Sequence, residues 1–219
     1  MRALAFFCLH ACILWILSVN VIEHEAVCLS NSNFRNNMIQ PGDSIFNFTA
    51  DATVEDWVEQ SDNVRTVGMS KATLVIQKTQ VFRRAVFFSL LNPQPNGAGF
   101  AGMRILTDLN LSCGNRILLK ARGQGNTHYK IILRHKGEND EPYPTYENFF
   151  EIPMEFSIVP LYLEEFKPYY RGRPLNSTEA KPLDTSAITS FGIQIYGGVY
   201  SQFKQHGPSS LEIDWISLG

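Results

Sequence analysis

The sequence predicts an all-β protein with the fold of a jelly-roll β-sandwich in a single domain. Nine short runs are rich in apolar, β-branched or aromatic residues, and clusters of Gly, Pro and Asn separate them. No segment of the sequence sustains the 3.6-residue apolar period of an amphipathic helix. Strands that follow one another without intervening helices favour an antiparallel sandwich over an α/β arrangement.

The predicted strands occupy most of the chain after about residue 51, and turn signals such as NPQPNGAG, GQGN and KGENDEPYP lie between them. Two other segments, Thr53–Gln60 and Tyr162–Phe166, are long enough for a helical turn or two. The nine predicted strands are Ala72–Gln77, Val81–Leu91, Phe100–Leu106, Ile117–Ala121, Tyr129–His135, Phe149–Ile152, Ile158–Leu161, Ile188–Tyr196 and Leu211–Leu218.

The fifth of these strands shows clear two-residue alternation. Tyr129, Ile131 and Leu133 share one face, and Lys130 and Arg134 point to the other. This pattern is typical of a strand with one face on the core, so the three apolar residues are predicted core positions.

The last strand alternates in the same way, with Leu211, Ile213 and Trp215 on one face and Glu212 and Asp214 on the other. We expect Trp215 to lie in the core. Two carboxylates on one strand face are weak candidates for a Ca²⁺ site or an acid–base pair. The favoured interpretation is the solvated face of an amphipathic strand.

The first residues have the layout of a secretory signal peptide: Arg2 is followed by residues 3–22, which contain no Asp, Glu, Lys or Arg. Cleavage after Ser18 or Asn20 fits the small or polar residues there. An uncleaved signal anchor is the first alternative, although this stretch barely spans ~30 Å of hydrocarbon. A mitochondrial transit peptide, the second, would be amphipathic and rich in Arg.

These observations divide the chain into a signal peptide over residues 1–18, with cleavage between 18 and 20, a loose N-terminal extension over 19–50 and the sandwich domain over 51–219. Loss of the leader removes Arg2 and leaves 18 basic and 21 acidic residues. This balance gives no electrostatic reason to expect binding to nucleic acid or to an anionic membrane surface. We expect no membrane association once the leader is removed.

Two cysteines, Cys28 and Cys113, remain after removal of the leader, which contains Cys8 and Cys12. In an oxidising compartment the pair can form one disulfide, worth about 4 kcal/mol in the chain-entropy account. Two free buried thiols are the alternative, because sequence spacing says nothing about the distance between the sulfur atoms.

Three N-x-[ST] triplets are candidate N-glycosylation sites, at Asn47, Asn110 and Asn176. Each lies in a turn-like context where a glycan can point to water, although Asn110 lies close to a predicted strand. Together with the leader, the three triplets favour the secretory route.

The segment Gly97–Gly102 matches G-x-G-x-x-G, but a Pro-rich turn precedes it and the strand-like Met103–Leu106 follows. A dinucleotide site needs a strand before the glycines and a helix after them, so we interpret these glycines as a tight turn and a bulge. The sequence also lacks a zinc-ligand spacing and a G-x-S-x-G nucleophile motif. It predicts no enzyme activity, no cofactor and no metal beyond the weak carboxylate pair.

Two predicted loop regions, Tyr143–Phe150 and Phe166–Arg173, place aromatic rings beside Arg residues. Such sets are enriched at protein interfaces, and a flat ring beside hydrogen-bond donors also suits a sugar. The alternative is that the rings close the ends of the sandwich. The candidate contacts for a protein or glycan partner are Arg104, Tyr129, Arg134, Tyr169, Arg171 and Arg173.

Several blocks of the chain, in order from about Trp57 to Leu218, resemble the CIA30 family, the complex I intermediate-associated protein 30 domains. The blocks are residues 61–71 (SDNVRTVGMSK), Gly97–Arg104 (GAGFAGMR), Arg122–Gly125, Tyr129–Lys130, Phe166–Arg173 (FKPYYRGR) and Leu211–Ile216.

The resemblance implies a galactose-binding-domain-like jelly-roll sandwich without catalytic residues, and its best-known members are assembly chaperones for mitochondrial respiratory complex I. The leader and the N-x-[ST] triplets of this chain depart from the mitochondrial members. We therefore expect a secreted or ER-lumen binding module without catalysis, whose sandwich loops contact a protein or glycan. The alternative is a mitochondrial complex I assembly factor.

Overall fold

The computed structural model describes residues 37–64, 66–95, 98–198 and 201–219 as two antiparallel sheets packed face to face. The first sheet has six strands in the order β3-β4-β13-β6-β9, with β1 also paired to β13. Its strands are β1 (Ser44–Asn47), β3 (Lys71–Lys78), β4 (Arg83–Leu91), β6 (Arg116–Gln124), β9 (Ser157–Tyr162) and β13 (Gly207–Leu218).

The second sheet has seven strands in the order β11-β10-β8-β7-β12-β5-β2. They are β2 (Val58–Glu59), β5 (Phe100–Leu109), β7 (His128–His135), β8 (Thr145–Glu151), β10 (Lys167–Tyr170), β11 (Arg173–Pro174) and β12 (Ile188–Tyr196). The two sheets confirm the predicted all-β sandwich. Within the described ranges no helix is long and apolar enough to cross a membrane.

All nine predicted strands are present, because each carries enough apolar residues to bury one face. The four strands absent from the prediction, β1, β2, β10 and β11, are two to four residues long. Such short strands carry too little periodicity to be recognised and form because a neighbouring strand offers its edge. Of the two segments considered for helical turns, Tyr162–Phe166 contains the 3-10 turn Leu163–Glu165, whereas Thr53–Gln60 supplies β2.

The sandwich begins before residue 51, where the sequence analysis places the start of the domain. In β1, Phe46 lies opposite Ile216 of β13. The Phe46 ring packs edge-on against Trp57 and Phe191, with ring centroids 5.3 Å apart in both cases. Residues 44–47 are therefore part of the sandwich and not of a loose extension. The leader and residues 19–36 lie outside the described residues.

The core lies between the sheets, and β7 contributes to it as predicted. Tyr129, Ile131 and Leu133 are fully buried. The Tyr129 ring packs between Phe87 of the opposite sheet and Phe150 of the neighbouring strand, at centroid distances of 6.3 and 6.1 Å. Core packing on this face leaves the alternate residues of β7 on the outer face of the seven-stranded sheet.

The prediction that Trp215 lies in the core is wrong. The pairing of β13 with β6 shifts register between Ile213 and Trp215, so that Trp215 lies opposite Lys120 and Ile216 takes the core position. Trp215 is partly exposed, whereas Ile216 is fully buried. A single extra residue in one strand reverses the side-chain alternation beyond it, which sequence alternation alone does not reveal.

Glu212 and Asp214 lie on the outer face of the six-stranded sheet, but they are buried and not solvated as favoured from the sequence. Glu212 accepts from Arg84 at 2.7 Å and from Arg122 at 2.9 Å, and Asp214 lies 3.3 Å from the Lys120 ammonium. We call these five charged residues the outer network. Burial opposes ionisation of Glu212, but the hydrogen bonds from the two arginines outweigh it and hold its pKa below the usual value.

Candidate functional site

A groove of about 710 Å³ lies on the outer face of the seven-stranded sheet. Its floor is formed by side chains of β7, β8 and β12, and its walls by β10 and by loops at both ends of the strands. This volume is within the range of pockets that hold small ligands. The site therefore lies mainly on a sheet face, whereas the sequence analysis expected contacts through the sandwich loops.

Strand alternation and cross-strand register place the floor residues. Lys130 of β7 lies between Phe149 of β8 and Gln194 of β12, so these three side chains form one row across the sheet. Glu147 lies two residues from Phe149 and points to the same face, and Tyr196 does the same on β12. These side chains share the outer face of the sheet because the alternate residues of all three strands point into the core.

Aromatic rings flank this row. Phe149 contacts Tyr169 of β10 and Tyr196 of β12 edge to face, at centroid distances of 5.4 and 5.1 Å. Burial, and then the nearby Glu147 carboxylate, raise the pKa of Tyr196 to about 12 and also raise the pKa of Tyr169. Both phenols therefore keep their protons at neutral pH and can donate a hydrogen bond.

The floor carries a buried ion pair. The Lys130 Nζ atom donates to Glu147 Oε2 at 2.6 Å, and the two side chains are only 10% and 6% exposed. Thr145 donates its hydroxyl to the other Glu147 oxygen at 2.8 Å. The ammonium lies 5.5 Å from the Phe149 ring centroid and 5.7 Å from that of Tyr196, so both rings lie close to it.

One wall of the groove is the loop between β7 and β8, which the buried Arg134 and the partly buried Arg104 hold. The Arg134 Nη1 atom donates to the Tyr143 carbonyl at 3.1 Å and also lies 3.3–3.4 Å from three other carbonyl oxygens of this loop. Arg104 donates to the Asn139 carbonyl at 2.6 Å and to the Asp140 carboxylate at 2.9 Å. The backbone of the wall is thus fixed by guanidinium groups beneath it.

The opposite wall is formed where two of the blocks used for the family resemblance meet. The Asp62 carboxylate is fully buried and accepts from Ser70 N at 2.9 Å, Ser70 Oγ at 3.1 Å and Gly99 N at 3.0 Å. Gly99 has φ +65°, and a Cβ atom there would lie 2.5 Å from Gly198 Cα. Gly99 therefore serves a left-handed backbone position, which fits the predicted tight turn, and a close contact with the backbone of Gly198; in the described part of this segment the predicted bulge is not seen. Gly97 lies outside the described residues.

The six predicted contact residues fall into different positions. Arg134, Tyr169 and Arg171 line the groove. Arg104 lies behind its wall, and Arg173 does not line it but pairs with Glu179 at 2.8 Å. Arg171 forms an exposed ion pair with Glu141, which also lines the groove.

Tyr129 corrects the prediction, because its side chain is fully buried in the core and cannot reach a partner. The alternation of β7 that turns Lys130 toward the groove is the one that buries Tyr129.

The sequence analysis missed five groove residues: Lys130, Glu147, Phe149, Gln194 and Tyr196. Their signal is polar or aromatic side chains at alternate positions of strands that are otherwise buried on the core face. Each strand alone gives this signal weakly, since outer-face residues of any sheet share it. Only the pairing of β8, β7 and β12 brings the five residues together.

The three N-x-[ST] triplets share one geometry. In each, the hydroxyl of the third residue donates to the Asn Oδ1 atom, at 2.7 Å for Asn47 and at 2.6 Å for Asn110 and Asn176. Asn176 is exposed, and Asn47 and Asn110 are partly exposed. Glycosylation of these sites stays a prediction.

The remaining candidates concern the disulfide and a metal. Cys113 is disulfide-bonded, but Cys28 lies outside the described residues, so the Cys28–Cys113 pairing stays a prediction. Across the described ranges there is no group of three or more His, Cys, Asp or Glu side chains placed to hold a metal ion. Glu212 and Asp214 are instead engaged by the cations of the outer network.

A β-sandwich with a groove of aromatic and polar side chains on one sheet has the architecture of a binding module. Solved structures with this fold include the family 11 carbohydrate-binding module of a cellulosomal cellulase of Clostridium thermocellum, at 11% identity and TM-score 0.59, covering 81% of this chain and 94% of that one. The same kind of module in complex with a β-1,3-1,4-mixed-linked tetrasaccharide matches at 11% identity and TM-score 0.57, covering 80% and 95%. At this identity the likeness shows the fold alone.

The family is shown by a second comparison. The family described as Complex I intermediate-associated protein 30 (CIA30) matches residues 46–213, which is most of the chain. The chain therefore belongs to the CIA30 family, as the sequence blocks indicate. No curated protein matched the chain in a sequence comparison.

Proposed function

We propose that this protein is a non-catalytic carbohydrate-binding module of the secretory pathway, and that its groove holds the glycan. The observation that carries the proposal is the arrangement of Phe149, Tyr169 and Tyr196 around a floor of buried polar groups. A pyranose ring has an apolar C–H face and a rim of hydroxyl groups, so it needs flat rings and hydrogen-bond partners side by side.

The exposure of the groove residues fits this role. Phe149 is 39% exposed although it contacts two other rings, so part of its surface is available to a ligand. Gln194 and Lys130 are buried at the floor and bring amide and ammonium donors to the same row. The tetrasaccharide complex of a structural relative supports a glycan over a protein as the partner.

Binding of defined oligosaccharides tests the proposal. Isothermal titration calorimetry with the β-1,3-1,4-mixed-linked tetrasaccharide, preceded by a glycan array, should find at least one neutral glycan that binds. Phe149→Ala should weaken that binding by about 1.5–3 kcal/mol, the value of one buried aromatic side chain. The matched control is Phe88→Ala, which removes a similarly exposed ring, 47%, from the other sheet and should leave affinity unchanged.

Two outcomes would refute glycan binding in the groove. One is the absence of binding to every sugar on the array. The other is equal affinity of the Phe149→Ala variant and the wild type, which would show that the ligand binds to another surface. Binding of a protein and no sugar would leave protein recognition as the function of the module.

Secretion is the second part of the proposal, supported by the leader and the three N-x-[ST] triplets. The competing candidate is an assembly factor for respiratory complex I, which the family description favours. A C-terminally tagged chain should be recovered from the medium as an endoglycosidase-sensitive species. Recovery of an unglycosylated protein from mitochondria would instead support the assembly factor.

A further inference from the structure

We infer that the groove selects a neutral glycan with two adjacent free hydroxyl groups, and that the Lys130–Glu147 ion pair recognises them. The inference rests on the proposed function and adds the chemical class of the ligand and the residues that select it. It follows from the position of the pair, its remaining hydrogen-bonding capacity and the charge balance of the groove.

The stability of the folded protein does not explain why this ion pair lies where it does. Lys130 and Glu147 lie on the outer face of the sheet, away from the core that holds the two sheets together. Removing two charges from water offsets much of the gain from pairing them, so a buried ion pair adds little stability compared with apolar side chains. An ion pair that lines a groove is therefore better explained by a ligand that it contacts there.

The pair keeps donors and acceptors for a ligand. An ammonium has three donors, and Glu147 accounts for one of those of Lys130. A carboxylate has about four acceptor positions, and Lys130 and Thr145 occupy two of those of Glu147. One hydroxyl of a ligand can thus accept from Lys130 while its neighbour donates to Glu147.

The spacing suits adjacent hydroxyls. The two charged atoms are 2.6 Å apart. Neighbouring hydroxyl oxygens on a pyranose lie about 2.9 Å apart, which is within the ordinary range of hydrogen-bonded oxygens. Because the Lys130 ammonium lies 5.5 and 5.7 Å from the Phe149 and Tyr196 ring centroids, a sugar stacked on either ring has its hydroxyl rim close to the pair.

The charge of the groove favours a neutral ligand. Three cationic side chains line it, Lys130, Arg134 and Arg171, and three anionic ones, Asp140, Glu141 and Glu147. Lys130 and Arg171 are paired with carboxylates, and Arg134 is directed to backbone carbonyls of its loop. A uronate or sulfate would thus enter a site with no excess of positive charge to offset its loss of water.

The test uses the double variant Lys130→Met/Glu147→Met, which keeps side-chain volume and leaves no unpaired charge. Its affinity for the β-1,3-1,4-mixed-linked tetrasaccharide should fall about tenfold or more by calorimetry, since two hydrogen bonds are lost. Its thermal midpoint should stay close to that of the wild type. If this variant does not fold, Lys130→Leu/Glu147→Leu provides the same test, since it too leaves no unpaired charge.

Two ligand controls and one protein control complete the test. The O-methylated tetrasaccharide lacks hydroxyl donors, and tetragalacturonate carries carboxylates; each should bind the wild type at least about tenfold more weakly. The variant Lys136→Gln/Asp184→Asn removes an ion pair of 2.7 Å that does not line the groove, and its affinity should equal that of the wild type.

The outcomes separate this inference from the proposed function. If Phe149→Ala loses binding and the Lys130/Glu147 variants bind within twofold of the wild type, the pair is structural and the inference is wrong. Tighter binding of tetragalacturonate than of the neutral sugar also overturns it. If no neutral oligosaccharide binds the wild type, the proposed function fails and the inference fails with it.

Discussion

The two outward faces of the sandwich both carry charged residues that are largely buried beside aromatic rings, but the surroundings of these charges differ. On the six-stranded sheet, Arg84 lies 4.3–4.4 Å from the ring centroids of Phe82 and Phe156 and pairs with Glu212. On the seven-stranded sheet, Lys130 lies 5.5–5.7 Å from the ring centroids of Phe149 and Tyr196 and pairs with Glu147.

The difference lies in what surrounds the charges. In the outer network two carboxylates are shared among three cations, and none of these five residues lines the groove. Around Lys130 and Glu147, by contrast, β10 and the flanking loops rise into walls. The same paired charges are thus a structural feature on one face and a candidate recognition element on the other, because the second pair lines the groove and the outer network does not.

The largest expected effect tests the structural side of this comparison. Glu212→Gln removes the carboxylate that the partly buried Arg84 and Arg122 share, leaves Arg84 with Asp214 at 3.4 Å, and should lower the free energy of unfolding by about 3–5 kcal/mol. Urea denaturation measures it. The control, Glu179→Gln, breaks the exposed pair with Arg173 and should leave the urea midpoint close to that of the wild type. Equal midpoints for the two variants would show that the outer network contributes no more than a surface pair.

The next effect tests the bulge in β13, which turns Trp215 toward the outer network. Ile216→Ala should cost about 2–5 kcal/mol, because Ile216 is fully buried in the core. Trp215→Ala should cost less, since Trp215 is partly exposed opposite Lys120. Urea midpoints of the two variants compare these losses directly. A larger loss for Trp215→Ala than for Ile216→Ala would support the regular strand expected from the sequence, with Trp215 in the core.

A smaller effect tests the orientation of the pair in the groove. Thr145→Val removes the hydroxyl that donates to Glu147 and should weaken glycan binding by about 1 kcal/mol without changing the fold. Calorimetry with the mixed-linked tetrasaccharide measures the change. The exchange Thr73→Val on the outer face of the six-stranded sheet is the control, and affinity lost equally in both variants would contradict a local role for Thr145.

The smallest effect concerns His135, at the end of β7. Its Nδ1 atom accepts from Asp184 N at 2.7 Å, and burial lowers its pKa despite the nearby Glu138 carboxylate. The unfolded chain therefore binds this proton more readily than the folded one below about pH 6.5. The stability of the wild type should fall as pH drops from 7 through 6.5 toward the folded-state pKa.

Thermal midpoints between pH 7.5 and 5 measure this dependence. His135→Gln should flatten the curve, and His206→Gln, at an exposed position, should leave it unchanged. An identical pH dependence for the wild type and His135→Gln would assign the effect to other groups.

The sequence blocks that resemble the CIA30 family contain residues that fix the backbone of the fold. Asp62 and Gly99 belong to two of these blocks, and they meet in the wall of the groove, where a buried carboxylate binds a backbone N–H. Gly198 lies against them, and a Cβ atom on it would be 1.7 Å from the Ala98 carbonyl oxygen. These residues specify the fold, which explains why they indicated the family and its architecture without indicating a ligand.

The sequence by itself determined the nine long strands, the core face of β7 and the CIA30 family, because these depend on local periodicity and on residues that fix backbone geometry. Only the tertiary structure decided the groove. Phe149, Lys130 and Gln194 come from three strands, and their row depends on the order and register in which those strands pair. The sequence also could not predict the bulge at Trp215. One unpaired residue changes the face of the sheet to which the following side chains point, without changing the composition of the strand.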